Sequence, residues 1–470
     1  MTERLLIRAA TVVTMDASLG DLQQGDVLIE DGRIRAVAPR IDAGDCDILE
    51  AAGAILSPGF VDTHRHVWQT QLRGVAADWT LYDYTLLMRM GFGSLYEPDD
   101  AYLGNYAGAL EALAAGITTV VDHSHIMNSP AHADEALRGL VDSGIRAVFC
   151  YGLYPNPSHD PFALDFDPGW RFDDARRLRR GRLAADDARV RFGLAPSEVT
   201  ATPFEQIERE LAVARELSAL RVSCHVSMGR WDHGARVVER LAAADALDED
   251  LLFVHGSTLT RDELAAIADS GASISCTPET ELQMAMGRPV FARAKAAGAR
   301  PSIGIDIVSN FSGDMFAQMR LLLQSERGFD NELRADAPRA LGLKARDVLE
   351  LATIGGARAA GLDGVTGSIT PGKQADVMLT RTDSPHMAGV CDPVAALVLY
   401  AAASDVDTVL VGGDVLKRGG ALVGYGDPLD WPGISQRLSV SGERIRRRAS
   451  KLPRDEIAPL LASAMFAPER

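Results

Sequence analysis

The chain has 470 residues, with 48 Lys+Arg against 65 Asp+Glu for a formal net charge of −17; 47% of residues are hydrophobic and 24% charged. That is ordinary globular composition, long enough for two or three domains of about 150 residues, and it excludes a disordered chain. The acidic balance excludes a phosphate-backbone binder, which relies on basic patches.

Residues 1–57 carry short alternating segments (5–15, 26–29, 33–38) around a turn at Glu30-Asp31-Gly32, which predicts hairpins. From residue 58 to 306 one theme repeats: a short β-branched apolar run ending in polar residues, then a longer stretch of helical character. Eight such runs occur, at 58–64, 117–124, 146–152, 190–196, 221–227, 251–256, 272–278 and 301–306. The intervening Ala- and Leu-rich stretches, such as 98–116, 131–144, 203–220 and 261–271, predict helices, several closing on Gly. Eight βα units predict a parallel (β/α)8 TIM barrel over residues 58–367. An open doubly wound sheet has no GxGxxG turn to support it. Residues 368–425 return to the hairpin pattern, with a turn at Gly412-Gly413-Asp414, and are expected to join 1–57 in one small β-sandwich. Residues 426–470 read as a helical extension whose cationic stretch, 444–451, forms a solvated face.

The longest apolar run, 394–403, falls far short of the roughly 20 residues a membrane span needs, and residues 1–16 lack a signal-peptide pattern. Five scattered cysteines with no CxxC pair fit free thiols in a reducing compartment. A cytoplasmic protein with no membrane and no nucleic acid as partner is expected.

Five of the ten histidines fall at the ends of predicted strands: His64, His66, His123, His225 and His255. In a barrel that rim is where side chains converge on a site. His64 and His66, two apart on an extended segment, point to the same side and can reach one ion. With His225 after strand five, His255 after strand six and Asp306 after strand eight, the set suits one divalent transition metal with a position left for water.

The strings PGFVDTHRH (58–66), GITTVVD (116–122), Cys224-His225, Val254-His255-Gly256 and SIGID (302–306) resemble the amidohydrolase superfamily, nearest the branch of cytosine-type deaminases and triazine hydrolases. The similarity covers nearly the whole chain, including GLDGVTGSITPGKQAD (361–376). It implies a mononuclear site with His64, His66, His225 and Asp306 as ligands, His255 beside the water, and zinc foremost, with iron or another transition metal as the alternative. It also implies a homodimer acting on a small molecule. In such a site Asp306 takes the proton of a water whose pKa the metal lowers towards about 7, and later returns it to a leaving nitrogen. His255 donates to the developing oxyanion.

The pattern departs from the family at defined places. Deaminases of this branch carry a Glu three residues after the strand-five histidine, where this chain has Met228, and a thioether cannot carry a proton. Ser197 stands where relatives carry His, and Glu279 and Glu281 follow strand seven in place of Ser-Asn. Two readings follow. In the preferred one, no ring protonation is needed, and the substrate is an amide, urea, carbamate or similar group. In the other, Glu279, Glu281 or His125 supplies the missing acid, and the enzyme is a deaminase or dechlorinase of a nitrogen heterocycle. A non-catalytic member of the fold would have lost metal ligands, and none is lost here. Trp68, Gln69, His125, Glu279, Glu281 and Ser309 are the expected substrate contacts, with Asn310 and Trp231 nearby. His123 is read as a satisfied rim histidine and Asp314 as a helix cap. The loops 67–99, 151–174 and 228–237 are expected to hold the substrate's identity, the second as an ordered lid.

Overall fold

The computed structural model describes residues 4–156 and 169–452. Eight parallel strands form the barrel: β6 (Phe60–Arg65), β7 (Ile117–Ser124), β8 (Arg146–Gly152), β9 (Val190–Ala195), β10 (Val222–Val226), β11 (Leu251–His255), β12 (Ser273–Cys276) and β13 (Arg300–Ile303). They are hydrogen-bonded in chain order, and a parallel bridge between Arg65 and Asp306 closes the ring from β13 to β6. Inside it the Thr63 hydroxyl lies 2.7 Å from that of Ser275 and 2.9 Å from that of Ser302, tying β6 to its neighbours across the closure. Most barrel strands are buried along their whole length, as near-continuous apolar runs require when helices cover the outside.

Helices follow the predicted pattern. Pro98–Ala114 and Pro130–Ser143 each start with Pro in the first turn, where its missing N–H is harmless. The second stops at Gly144 (φ 76°), and Arg261–Ser270 stops at Gly271 (φ 79°), both left-handed caps. Among the described residues no helix is long and apolar enough to cross a membrane.

The two flanks meet in one nine-stranded mixed sheet. The first contributes β1 (Arg4–Val12), β2 (Leu22–Glu30), β3 (Arg33–Ala38), β4 (Asp47–Glu50) and β5 (Ala54–Pro58); the second contributes β14 (Val377–Arg381), β15 (Val406–Val411), β16 (Asp414–Arg418) and β17 (Ala421–Leu422). The join is β5, parallel to β1 on one side and antiparallel to β14 on the other. β1 bulges at Ala9 (φ 63°), so its first half pairs with β4 and its second half with β5. Ile7, Ile29, Leu56, Val377 and Leu410, drawn from both flanks, share a core separate from that of the barrel. Both predicted turns are two-residue hairpins with both central φ values positive: Asp31 and Gly32, and Gly412 and Gly413.

Helix Trp431–Ala449 supplies the extension. Its cationic stretch is not merely solvated: Arg444 pairs with Asp100, and Arg448 lies 3.1 Å from Glu97, at the start of helix Pro98–Ala114. Residues 157–168 of the loop 151–174 expected as a lid, with His159, and residues 453–470 lie outside the described residues.

Candidate active site

Backbone pairing at the barrel closure sets the first three ligand candidates. The Asp306 N–H donates to the His64 carbonyl and the His66 N–H to the Asp306 carbonyl, both at 2.8 Å. Asp306 sits three residues beyond β13 and His255 ends β11, both with left-handed backbone (φ 75° and 74°). Such strain costs about 1–3 kcal/mol per residue and accumulates at functional sites.

The side chains converge. His64 Nε2 lies 3.3 Å from His225 Nε2 and 3.3 Å from Asp306 Oδ1, and His66 Nε2 lies 3.3 Å from the same oxygen. His66 Nδ1 donates to the His123 carbonyl (2.8 Å), and His225 Nδ1 donates to the Glu198 carboxylate (3.2 Å). Both of these rings therefore present a bare Nε2 lone pair to one point. Burial pushes His64 down to about 4, with His225 and His255 adding to the effect, and holds His66 well below its ordinary value. Burial would raise Asp306, but the His64 contact and the surrounding imidazoles outweigh it and hold the carboxyl far below the usual range. Neutral imidazoles and an ionised carboxylate facing one point are the donor set of a divalent cation.

His255 lies beside this cluster, its ring stacked on His225 at 5.6 Å. Its Nδ1 is 2.9 Å from the Thr277 hydroxyl and 3.7 Å from Glu281 Oε1. Burial opposes its charged form, yet Glu281 and Asp306 outweigh that and raise its pKa.

A cavity opens over the cluster. His66, His225, His255 and Asp306 form its floor. Tyr84, Arg89, His125 and Glu198 supply polar walls, while Met228, Met284, Met286 and Trp231 supply apolar ones. Trp231 stacks on Tyr82, with ring centroids 6.3 Å apart.

Of the expected substrate contacts, His125 lines the cavity and the other five stand behind its wall. Trp68 is buried and donates from Nε1 to His125 Nδ1 (3.0 Å). Gln69 accepts from the Ser309 hydroxyl (2.7 Å) and donates to Tyr84 Oη (2.6 Å), so the pair braces a wall residue. Glu279 turns outward to Gln318 (2.7 Å), where burial and then Asp314 push it up to about 7. Glu281 accepts from the Thr277 N–H (2.8 Å) and backs His255. Asn310 is engaged by Gln283, and Asp314 accepts from the Phe316 N–H as a cap. His123 is satisfied by Ser223 (2.9 Å) and Tyr154 (3.1 Å). Ser197 is bound to Glu210 and Leu153, away from the cavity.

The Amidohydrolase family matches residues 55–416 of this chain. The chain belongs to that family. Its site is accordingly that of a metal-dependent hydrolase acting on a carbon–nitrogen bond of a small molecule. A 5'-deoxyadenosine deaminase of Methanothermobacter thermautotrophicus is 30% identical over 86% of this chain and 91% of its own. A 5-methylthioadenosine/S-adenosylhomocysteine deaminase of Desulforudis audaxviator is 31% identical over 88% and 94%. Among solved structures, a zinc-bound adenosine deaminase of Xanthomonas campestris superposes with a TM-score of 0.80 at 25% identity, covering 94% of this chain and 98% of that one. A zinc-bound variant of the Arthrobacter aurescens atrazine chlorohydrolase shares the fold at a TM-score of 0.82 and 24% identity, over 93% and 100%.

Residue-by-residue reading of the sequence missed Arg89 and Tyr84, which lie in the π-helical segment Tyr84–Phe92, and assigned no role to Glu198. The only signal for Glu198 was its place just past the end of β9.

Proposed function

We propose that this amidohydrolase is a deaminase of a nitrogen heterocycle, replacing an exocyclic amino group by oxygen with water and releasing ammonia. The observation that carries the proposal is Glu198, a carboxylate on the cavity wall 3.2 Å from His225, in a site where Met228 has removed the acid expected on the strand-five loop. The deaminase relatives support the same reading. His64, His66, His225 and Asp306 would hold one divalent cation, with zinc favoured by the zinc-bearing structural neighbours. A cation held there polarises the reacting centre and makes water acidic enough to ionise near pH 7.

The chain's own residues do the rest. Asp306 engages the imidazoles through Oδ1, leaving Oδ2 to take a proton from water and pass it to the leaving amine. His255, held at Nδ1 by Thr277 and Glu281, turns Nε2 to the oxyanion. Glu198, engaged by His225 through Oε2, delivers a proton from its other oxygen to the ring nitrogen, so that the aromatic carbon accepts hydroxide, and takes one back from the new hydroxyl as the amine leaves. The methionine wall fits a flat ring and excludes water. A cytoplasmic setting and a dimer belong to the same proposal, supported by free thiols and by the family resemblance.

The test is ammonia release from aminated purines, pyrimidines and triazines by zinc-loaded protein. Stoichiometric ammonia at about 1 per second or more supports deamination. Met228 itself favours a second reading, hydrolysis of an amide, urea or carbamate carbonyl, and turnover of acyclic ureas alone would establish that reading instead.

A further inference from the structure

The proposed deamination leaves unassigned a buried cation on the far wall of the cavity. Arg89 lies on a π-helical segment, Tyr84–Phe92, a wide turn found disproportionately at functional sites. Its guanidinium rests 4.4 Å over the Tyr154 ring, and Nη2 donates to Asn156 Oδ1 at 3.1 Å. Asn156 in turn donates to the His125 carbonyl at 2.7 Å, so Arg89 and His125 are held as one unit. Among the described residues no carboxylate stands within ion-pair distance of Arg89, although it is buried and lines the cavity. Nearby, His125 accepts from the Trp68 indole at Nδ1, which leaves the proton of a neutral imidazole on Nε2. That Nε2 is buried, without a partner, in a ring that lines the same cavity. Glu198 lines the same cavity.

We infer that Arg89 and His125 form a donor corner that recognises a ring oxygen, so that the substrate is an oxo-substituted amino heterocycle rather than a purely aminated one. Buried donors that a substrate must satisfy discriminate strongly against an analogue lacking the acceptor. The carbonyl or enolate oxygen takes the Arg89 fork and the His125 N–H, while the adjacent ring nitrogen is left for the proton of Glu198. This inference rests on the heterocycle reading above.

Melamine, ammeline and ammelide provide the test, because one triazine ring is kept while amino groups are exchanged for oxygen. Binding to zinc-loaded enzyme is measured by calorimetry, which needs no turnover. Wild type is expected to bind ammelide at least about tenfold more tightly than melamine, with ammeline between them, the range of a charge-assisted hydrogen bond. In Arg89→Gln that ratio is expected to collapse to about threefold or less, and Arg89→Lys, which keeps the charge but not the planar fork, to fall between. An unchanged ratio in Arg89→Gln, no preference in wild type, or no binding of any of the three overturns the inference. Should Arg89→Gln fail to fold, the wild-type ranking and Arg89→Lys decide. Ammonia release without a preference for ring oxygen would sink this inference and leave the deaminase reading standing; the preference without ammonia would do the reverse.

Discussion

Glu281 Oε1 lies 3.7 Å behind His255 Nδ1, buried and anchored by the Thr277 N–H. The carboxylate favours the charged imidazole, which is the form that keeps a proton on Nε2 while Nδ1 is engaged. Glu281→Gln removes that support and lowers the His255 pKa, so the donor is lost at lower pH. The alkaline limb of kcat/KM is expected to move to lower pH and kcat to fall about 10–100-fold, as for other residues that orient a site's inner groups. A pH–rate profile checks both.

Glu198→Gln tests the proposed ring-protonating acid. Its kcat is expected to drop by about 10^2–10^4, the usual share of a general acid, with metal content unchanged. Adding Met228→Glu to that variant is expected to recover part of the rate, since residue 228 also lines the cavity. Metal analysis and steady-state rates separate loss of a proton carrier from loss of a ligand.

Chelation is expected to destabilise the fold as well as end activity, because the His64, His66 and His225 nitrogens are left facing one another within 4.8 Å. Where free metal stood at about a thousandfold its Kd, removal lowers stability by roughly 4 kcal/mol. Thermal melts with and without chelator, followed by reloading, measure it.

Gly229 packs against the chain that carries Met286. A Cβ there would stand 1.9 Å from the Met286 carbonyl oxygen, and its φ of 72° already disfavours any side chain. Gly229→Ala is expected to push Met228 and Trp231 out of the cavity wall, raising KM for a heterocycle substrate while metal content holds. Kinetics with parallel metal analysis distinguish this from general unfolding.

Asp16 links the flanks through the Thr370 hydroxyl at 2.6 Å. Bonds from Ser18, then Thr370, lower its carboxyl from the ordinary 3.8 to about 2. A depressed acid contributes stability that is present above its unfolded pKa and lost as pH falls through the folded one. The window is therefore about pH 4 down to 2, and Asp16→Asn is expected to flatten that part of a urea-midpoint profile.

The barrel and its candidate ligands were legible because each parallel strand announces itself as an apolar run and places its last polar residue on one rim. His64, His66, His225, His255 and Asp306 all sit at or just past such ends. The walls were harder to read. Glu279 and Glu281 were both expected to face the substrate, but they lie on a helical turn, Pro278–Gln283, where residues two apart point about 200° away from each other. One therefore meets Gln318 and the other His255. Arg89 belongs to a π-helical turn, a geometry with no hydrophobic period to betray it. Trp68, Gln69 and Ser309 were found as a neighbourhood but not as supports, since a side chain's direction off a short helix or loop is set by packing partners far along the chain.

The seam at β5 gives the molecule an order of birth. Pro58 pairs with Val377, about 320 residues further on, a distance a ribosome covers in roughly 15–60 s. Until then one flank of β5 is bare, and open strand edges invite association with other chains. All eight barrel strands leave the ribosome within that interval, so the ring is free to close and gather its histidines first. In each newly made copy, the chemistry is then older than the frame that finishes it.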